Sequence, residues 1–154
     1  MFKRFMVSIL VISGTMLFAG NGIYKVSAKK DFSSALKSLT HTLDKQNLYI
    51  ISKANISSTL KRMKNKLGAD YNKQHFDSVT SIIFCNPFYA NEVMNLDPDM
   101  MALCPLKIML MEKNGKTTAL FVLPTTHASK SSAKKVLKEI ENKVKKALKS
   151  AGFK

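Results

Sequence analysis

The spacing of apolar positions along this chain changes several times, and each change marks an element. Residues 22–28 (GIYKVSA) alternate, with Tyr24, Val26 and Ala28 against Ile23, Lys25 and Ser27, which predicts a strand with one half-buried face. Asp31 can cap a helix after it, because a short carboxylate reaches the free amides of a first turn. Phe32, Leu36, Leu39 and Leu43 then recur at helical spacing down to Gln46. Residues 48–51 (LYII) open a second strand that runs on towards Ile56. Ser57 or Ser58 caps a short basic helix whose Leu60, Met63 and Leu67 share one face, and Gly68 supplies a left-handed residue after its end.

The second half is punctuated by prolines and a turn. Residues 79–85 read as a third strand. Asn86 as cap with Pro87 at the first helical position then starts a helix carrying Phe88, Tyr89, Val93 and Met94. Asp97-Pro98 repeats that chemistry for a turn or short helix through Met100 and Met101, and Cys104-Pro105 forces the chain extended. Two apolar runs, 106–112 and 118–123, flank Asn114-Gly115, a strong signal for a β-hairpin because both turn residues tolerate positive φ. Val136, Ile140, Val144 and Leu148 mark a final helix, 131–150, with Leu137 and Ala147 widening its stripe and lysines over the rest. Strand, helix, strand, helix, strand, helix, hairpin, helix predicts an α+β fold. We expect a two-layer sandwich with helices over one face of a mixed or mostly antiparallel sheet.

The first residues bear on location. Lys3 and Arg4 precede an apolar run from 5 to 18 that ends before Gly20-Asn21-Gly22, the anatomy of a signal peptide with cleavage near Ala19. The run is shorter than the roughly 20 apolar residues a spanning helix needs. A periplasmic or secreted protein is expected, with retention of the leader as an anchor the alternative. Removal of residues 1–19 leaves 20–154, the length of one domain.

Charge changes the picture less than its size suggests. The net charge is +15, of which Lys3 and Arg4 hold two, but only Arg62 is an arginine beyond the leader. The bidentate guanidinium contacts that clamp phosphate or read guanine are therefore nearly absent, and nucleic acid is not an expected partner. A solvated lysine surface accounts for the charge, with weak attraction to anionic membrane surfaces as a secondary consequence.

Several residues together form a recognisable pattern. Phe84, Asn86 and Pro87 in IFCNP, then Ala90-Asn91, Leu96-Asp97-Pro98, Cys104-Pro105, and the strand KIMLMEKNGK with Glu112 and Gly115 resemble the bacterial family called domain of unknown function 302. The resemblance spans about residues 31–128. It departs at Cys85, where many members carry glycine, and at Cys104-Pro105 in place of a Leu-Pro step. It implies a compact α+β domain and carries over no catalytic residue.

Candidate chemistry is thin. Cys85 and Cys104 are the two cysteines, an even count in an oxidising compartment, and both stand at strand ends. Were those strands antiparallel neighbours, a disulfide closing a loop of about 20 residues would stabilise the fold by about 3 kcal/mol. Inert buried thiols and a redox or metal pair are the alternatives; no Cys-x-x-Cys spacing is present. Met100, Met101 and Cys104 make a soft-ligand set suited to Cu(I), although pliable core packing is the ordinary use of methionine. His41, His75 and His127 have no ligand spacing, His127 being the best placed for a pocket edge. Asp97 reads as a cap, and Glu139 and Glu141 as ion-pair partners on the lysine-rich helix.

No catalytic constellation, phosphate loop or zinc signature appears, so neither an enzyme nor a cofactor is expected. The pattern favours a non-catalytic domain that binds a small ligand or a protein, a homodimer included, with a periplasmic thiol or copper protein using Cys85 and Cys104 as the alternative. Membrane association through the last helix is a weaker reading, because its stripe carries neither Trp nor Phe and would equally cover a sheet.

Overall fold

The structure is a computed structural model that describes residues 22–154; the apolar leader and its expected cleavage at Ala19 lie outside the described residues. Five strands are present, β1 (Ile23–Ala28), β2 (Tyr49–Asn55), β3 (Ser78–Cys85), β4 (Leu106–Lys113) and β5 (Lys116–Val122). The helices are α1 (Phe32–Asp44), α2 (Ile56–Arg62), α3 (Lys64–Leu67), α4 (Pro87–Leu96) and α5 (Lys134–Ser150). The strands form one sheet in the order β1-β5-β4-β3-β2, antiparallel at every step. The fold class is α+β as the pattern predicts, and the sheet has no parallel pair.

Alternation explains why one face of this sheet is the core. Register sets Ile82 opposite Ile108, Ile108 opposite Phe121, Leu110 opposite Ala119 and Ala119 opposite Val26, so these side chains form a continuous apolar floor. All of them are buried. Leu39 and Leu43 from α1 and Val136, Ile140, Val144 and Leu148 from α5 close over that floor. Each such aliphatic side chain contributes about 1.5–3 kcal/mol by leaving water, so the strict spacing read along α5 is the energetic basis of the second layer.

Local chemistry sets the element ends. The Asp31 carboxylate accepts from the Ser34 amide at 2.9 Å, the expected cap of α1. β2 ends at Asn55 rather than running to Ile56, and the Asn55 side chain accepts from the Ser58 amide at 2.8 Å. Asn55 therefore caps α2, and the Ser57 hydroxyl instead accepts from the Val79 amide at 2.6 Å. Leu60, Met63 and Leu67 are 39%, 41% and 38% exposed and do not join the core. Their common face is broken at Met63, where α2 gives way to α3, and both helices follow the edge strand β2.

The chain's last residues add a feature that the periodicity does not announce. Gly152, at φ 89°, turns the backbone after α5, Phe153 is buried, and Lys154 exchanges two backbone hydrogen bonds of 2.9 Å with Ser27. That bridge covers part of the outer edge of β1, where unpaired amides and carbonyls would otherwise face solvent.

Candidate functional site

The opening of α4 builds one wall of a pocket. Asn86 keeps an extended backbone, and its side-chain oxygen accepts from the amides of Phe88 at 2.9 Å and Tyr89 at 3.0 Å. Pro87, with no amide to satisfy, occupies the first helical position. The Asn86 Nδ2 donates to the Asn47 carbonyl at 2.8 Å, which ties the start of α4 to the turn before β2. Tyr89, Ala90 and Val93 of α4 consequently stand over the end of the sheet.

Opposite them lie Phe84 and Cys85 at the end of β3, Leu106 at the start of β4, and Leu137 and Ile140 of α5. Met100, Met101 and Leu103 come from a short 3-10 helix, Pro98–Leu103, that leads directly into Cys104. Together they line a half-open apolar pocket of about 40 Å³. Exposed apolar residues border the same end of the molecule: Phe88 of α4 is 79% exposed, and Tyr49, opposite Cys85 in the register, is 45% exposed.

The two cysteines meet in this wall. β3 and β4 are antiparallel neighbours, with Phe84 opposite Leu106, which places the exit of one beside the entry of the other. The sulfurs are 3.7 Å apart and both thiols are free. A disulfide requires about 2.05 Å between sulfurs, so the expected bridge is not made, although the atoms it would join are in contact. Burial pushes the Cys104 thiol up to about 11, and the hydrogen bond and charge of Cys85 push it the same way. A thiol so disfavoured as thiolate is a weak nucleophile.

The other expected positions divide. Phe84, Asn86, Met100 and Met101 line the pocket, whereas Met94 is exposed and does not. Asp97 does not cap the 3-10 helix; its carboxylate accepts from the Ser131 hydroxyl at 2.5 Å, linking the end of α4 to the approach to α5. Glu112 and Gly115 stand at the far end of β4, where Gly115 completes the Asn114-Gly115 hairpin turn with φ of 52° and 69° at those two residues. His41, His75 and His127 are exposed and line no part of the cavity. Among the described residues no three His, Cys, Asp or Glu side chains group to hold a metal ion.

Glu141 makes the expected ion pair on the last helix, accepting from Lys138 Nζ at 3.2 Å, and it is also fully buried, where it accepts from the Thr125 amide at 2.9 Å and hydroxyl at 2.5 Å. Burial would raise its carboxyl, but the Thr125 bonds and then Lys138 outweigh that and hold it below the usual carboxylate range. The signal was in the spacing: Glu141 follows Leu137 by four residues and precedes Val144 by three, so it lies on the buried stripe.

The family profile described as Domain of unknown function DUF302 matches residues 24–151, nearly all of the described fold. The chain belongs to the DUF302 family. A solved DUF302 structure, the crystal structure of an uncharacterized conserved protein from Bacillus stearothermophilus, is similar with a TM-score of 0.73 at 17% identity. The likeness covers 84% of this chain and 98% of that one. No functionally curated protein matches. DUF302 membership thus extends the resemblance beyond residues 31–128 to include β1 and α5, and it assigns no role to the cysteine pair.

Proposed function

We propose that this DUF302 protein is an exported, non-catalytic binding domain whose pocket beneath α4 receives the apolar end of a small ligand or partner. The observation that carries this reading is the half-open apolar pocket itself, lined by no carboxylate, histidine or lysine and neighboured on α4 by exposed Phe88. At about 40 Å³ it accommodates a group the size of an aliphatic side chain rather than a whole drug-sized ligand, whose sites run to about 300–1,000 Å³. Export rests on the leader-like residues 1–19. Titration of the purified protein with short n-alkanols, followed by amide NMR, tests the pocket. Saturable shifts centred on Ala90, Val93 and Cys104 are expected, abolished in Ala90→Leu, which fills the space. Shifts spread evenly over the surface, or unchanged in that variant, would remove the reading.

A second reading is favoured by the sulfur separation. Two metal–thiolate bonds of about 2.3 Å at a tetrahedral angle span about 3.8 Å, close to the 3.7 Å between Cys85 and Cys104. With Met100 and Met101 in the same wall, the donor set suits a soft ion such as Cu(I). Intact mass of the native protein with and without alkylation, together with Cu(I) competition against a chelator, separates free, bridged and metallated states. Free thiols that take up no Cu(I) leave only the first reading.

A further inference from the structure

We propose that the sheet face opposite the helices carries a second, separate site: a lysine-lined recess at the β4–β5 hairpin that binds a phosphorylated small molecule with an apolar body. The register sets Lys113 directly opposite Lys116 beside the turn. Like charges in that relation repel. On the adjoining strand, Ser27 lies opposite Thr118 with their hydroxyl oxygens 3.0 Å apart, and Lys25 stands two residues before Ser27 on the same face. Lys25, Lys113 and Lys116 with Ser27, Thr118 and Asn114 line an open recess of about 420 Å³. That volume falls within the range of small-ligand sites.

No carboxylate lines this recess. Glu112 precedes Lys113 in the chain and the Asp77 carboxylate accepts from the Asn114 amide at 2.9 Å, so two acids stand beside the recess without lining it. The ion pairs among the described residues are Lys73 with Asp70 and Lys138 with Glu141, so none of the three lysines has an acidic partner there. Ammonium groups bind phosphate oxygens as point charges, and the one hydroxyl hydrogen left free by the Ser27–Thr118 bond adds a donor of the right kind. An oxyanion would also relieve the Lys113–Lys116 repulsion. Phe76 and Met111 supply the apolar side of the recess, against which a ring or chain on the ligand can rest. The site lies at the end of β4 remote from the cysteine pocket, so the two can be tested apart.

The probe is phenyl phosphate, with benzyl alcohol as its neutral counterpart, titrated into the purified protein at low salt and followed by amide NMR. Saturable shifts at Lys25, Thr118 and Asn114 are expected for the phosphate only, with Kd of about 1 mM or tighter. Lys113→Gln with Lys116→Gln should weaken binding by about tenfold or more. Lys134→Gln with Lys146→Gln, on α5, should leave it unchanged. Because the first pair removes a repulsion, its unliganded thermal midpoint should equal or exceed that of the parent, which confirms folding independently. Phenyl phosphate shifts that never saturate, or an equal loss of affinity in both double variants, would show diffuse attraction to a basic protein and overturn the proposal.

Discussion

Cys104 offers the most direct test of the cysteine pocket, because its chemistry follows from its surroundings. With its thiol pushed up to about 11, the thiolate fraction at pH 7.4 is about one in 4,000, against roughly one in 14 for an ordinary cysteine of pKa near 8.5. That is a deficit of about 300-fold in reactive species. The scarcer thiolate is also more basic, and a Brønsted coefficient of about 0.4–0.5 returns roughly tenfold in intrinsic nucleophilicity. Alkylation of Cys104 should therefore run about 20- to 30-fold slower than that of a free cysteine, before any steric hindrance. Stopped iodoacetamide labelling with peptide mass readout across pH 7 to 11 measures it.

Cys85→Ser sharpens the same test. Burial is the largest cause of the shift and Cys85 the remainder, so the variant should lower the Cys104 midpoint without returning it to the ordinary value. Its labelling rate near neutral pH should rise severalfold. Stability has a matching sign: the folded pKa lies above the unfolded one, so the contribution of Cys104 is complete below about pH 8.5 and is lost as pH rises towards about 11. A Cys104 midpoint below 9 in the parent, or labelling within about threefold of a free cysteine, would refute the buried-thiol reasoning.

Glu141→Gln keeps the shape and one acceptor for Thr125 but removes the charge, and should cost about 1–2 kcal/mol in urea denaturation at pH 7. Because the Glu141 carboxyl is held low in the fold, its contribution is present above the unfolded value of about 4.3 and lost as pH falls through the folded value, so parent and variant should converge in acid; a constant difference down to pH 2 would deny the charge any part. Asn86→Ala should cost about 1–2 kcal/mol by leaving the Phe88 and Tyr89 amides uncapped. Asn86→Asp should retain the cap and lose only the Asn47 contact, so equal losses in the two variants would show that capping is not what Asn86 contributes.

Elements governed by short-range chemistry were legible in the chain. Asp31, Asn86-Pro87 and Asn114-Gly115 act where they stand, through amides and φ angles within a few residues, and each begins or turns its element as the pattern predicts. The core stripe of α5 was equally plain because the aliphatic side chains repeat at one spacing. Positions whose partners lie far along the chain were not legible. Asp97 has the form of a cap, yet Ser131 lies 34 residues on and takes its carboxylate. Ser57 looked like a helix start until Val79, 22 residues away, supplied a strand amide for its hydroxyl.

The cysteine pair shows how far such reasoning reaches. That Cys85 and Cys104 come together follows from β3 and β4 being antiparallel neighbours, a condition the sequence leaves open and the register fixes. Whether the sulfurs bond depends on less than 2 Å of side-chain placement, since contact at 3.7 Å and a bond at about 2.05 Å are both compatible with the same strand pairing. The wall around them weighs on that choice: an apolar pocket opposes the thiolate that disulfide exchange requires, so oxidation by exchange should be slow even where the bridge is the stable product. The same low polarity that would suit an apolar group in the pocket therefore disfavours the Cys104 thiolate, and filling it with Ala90→Leu should slow the labelling of Cys104 further rather than expose it.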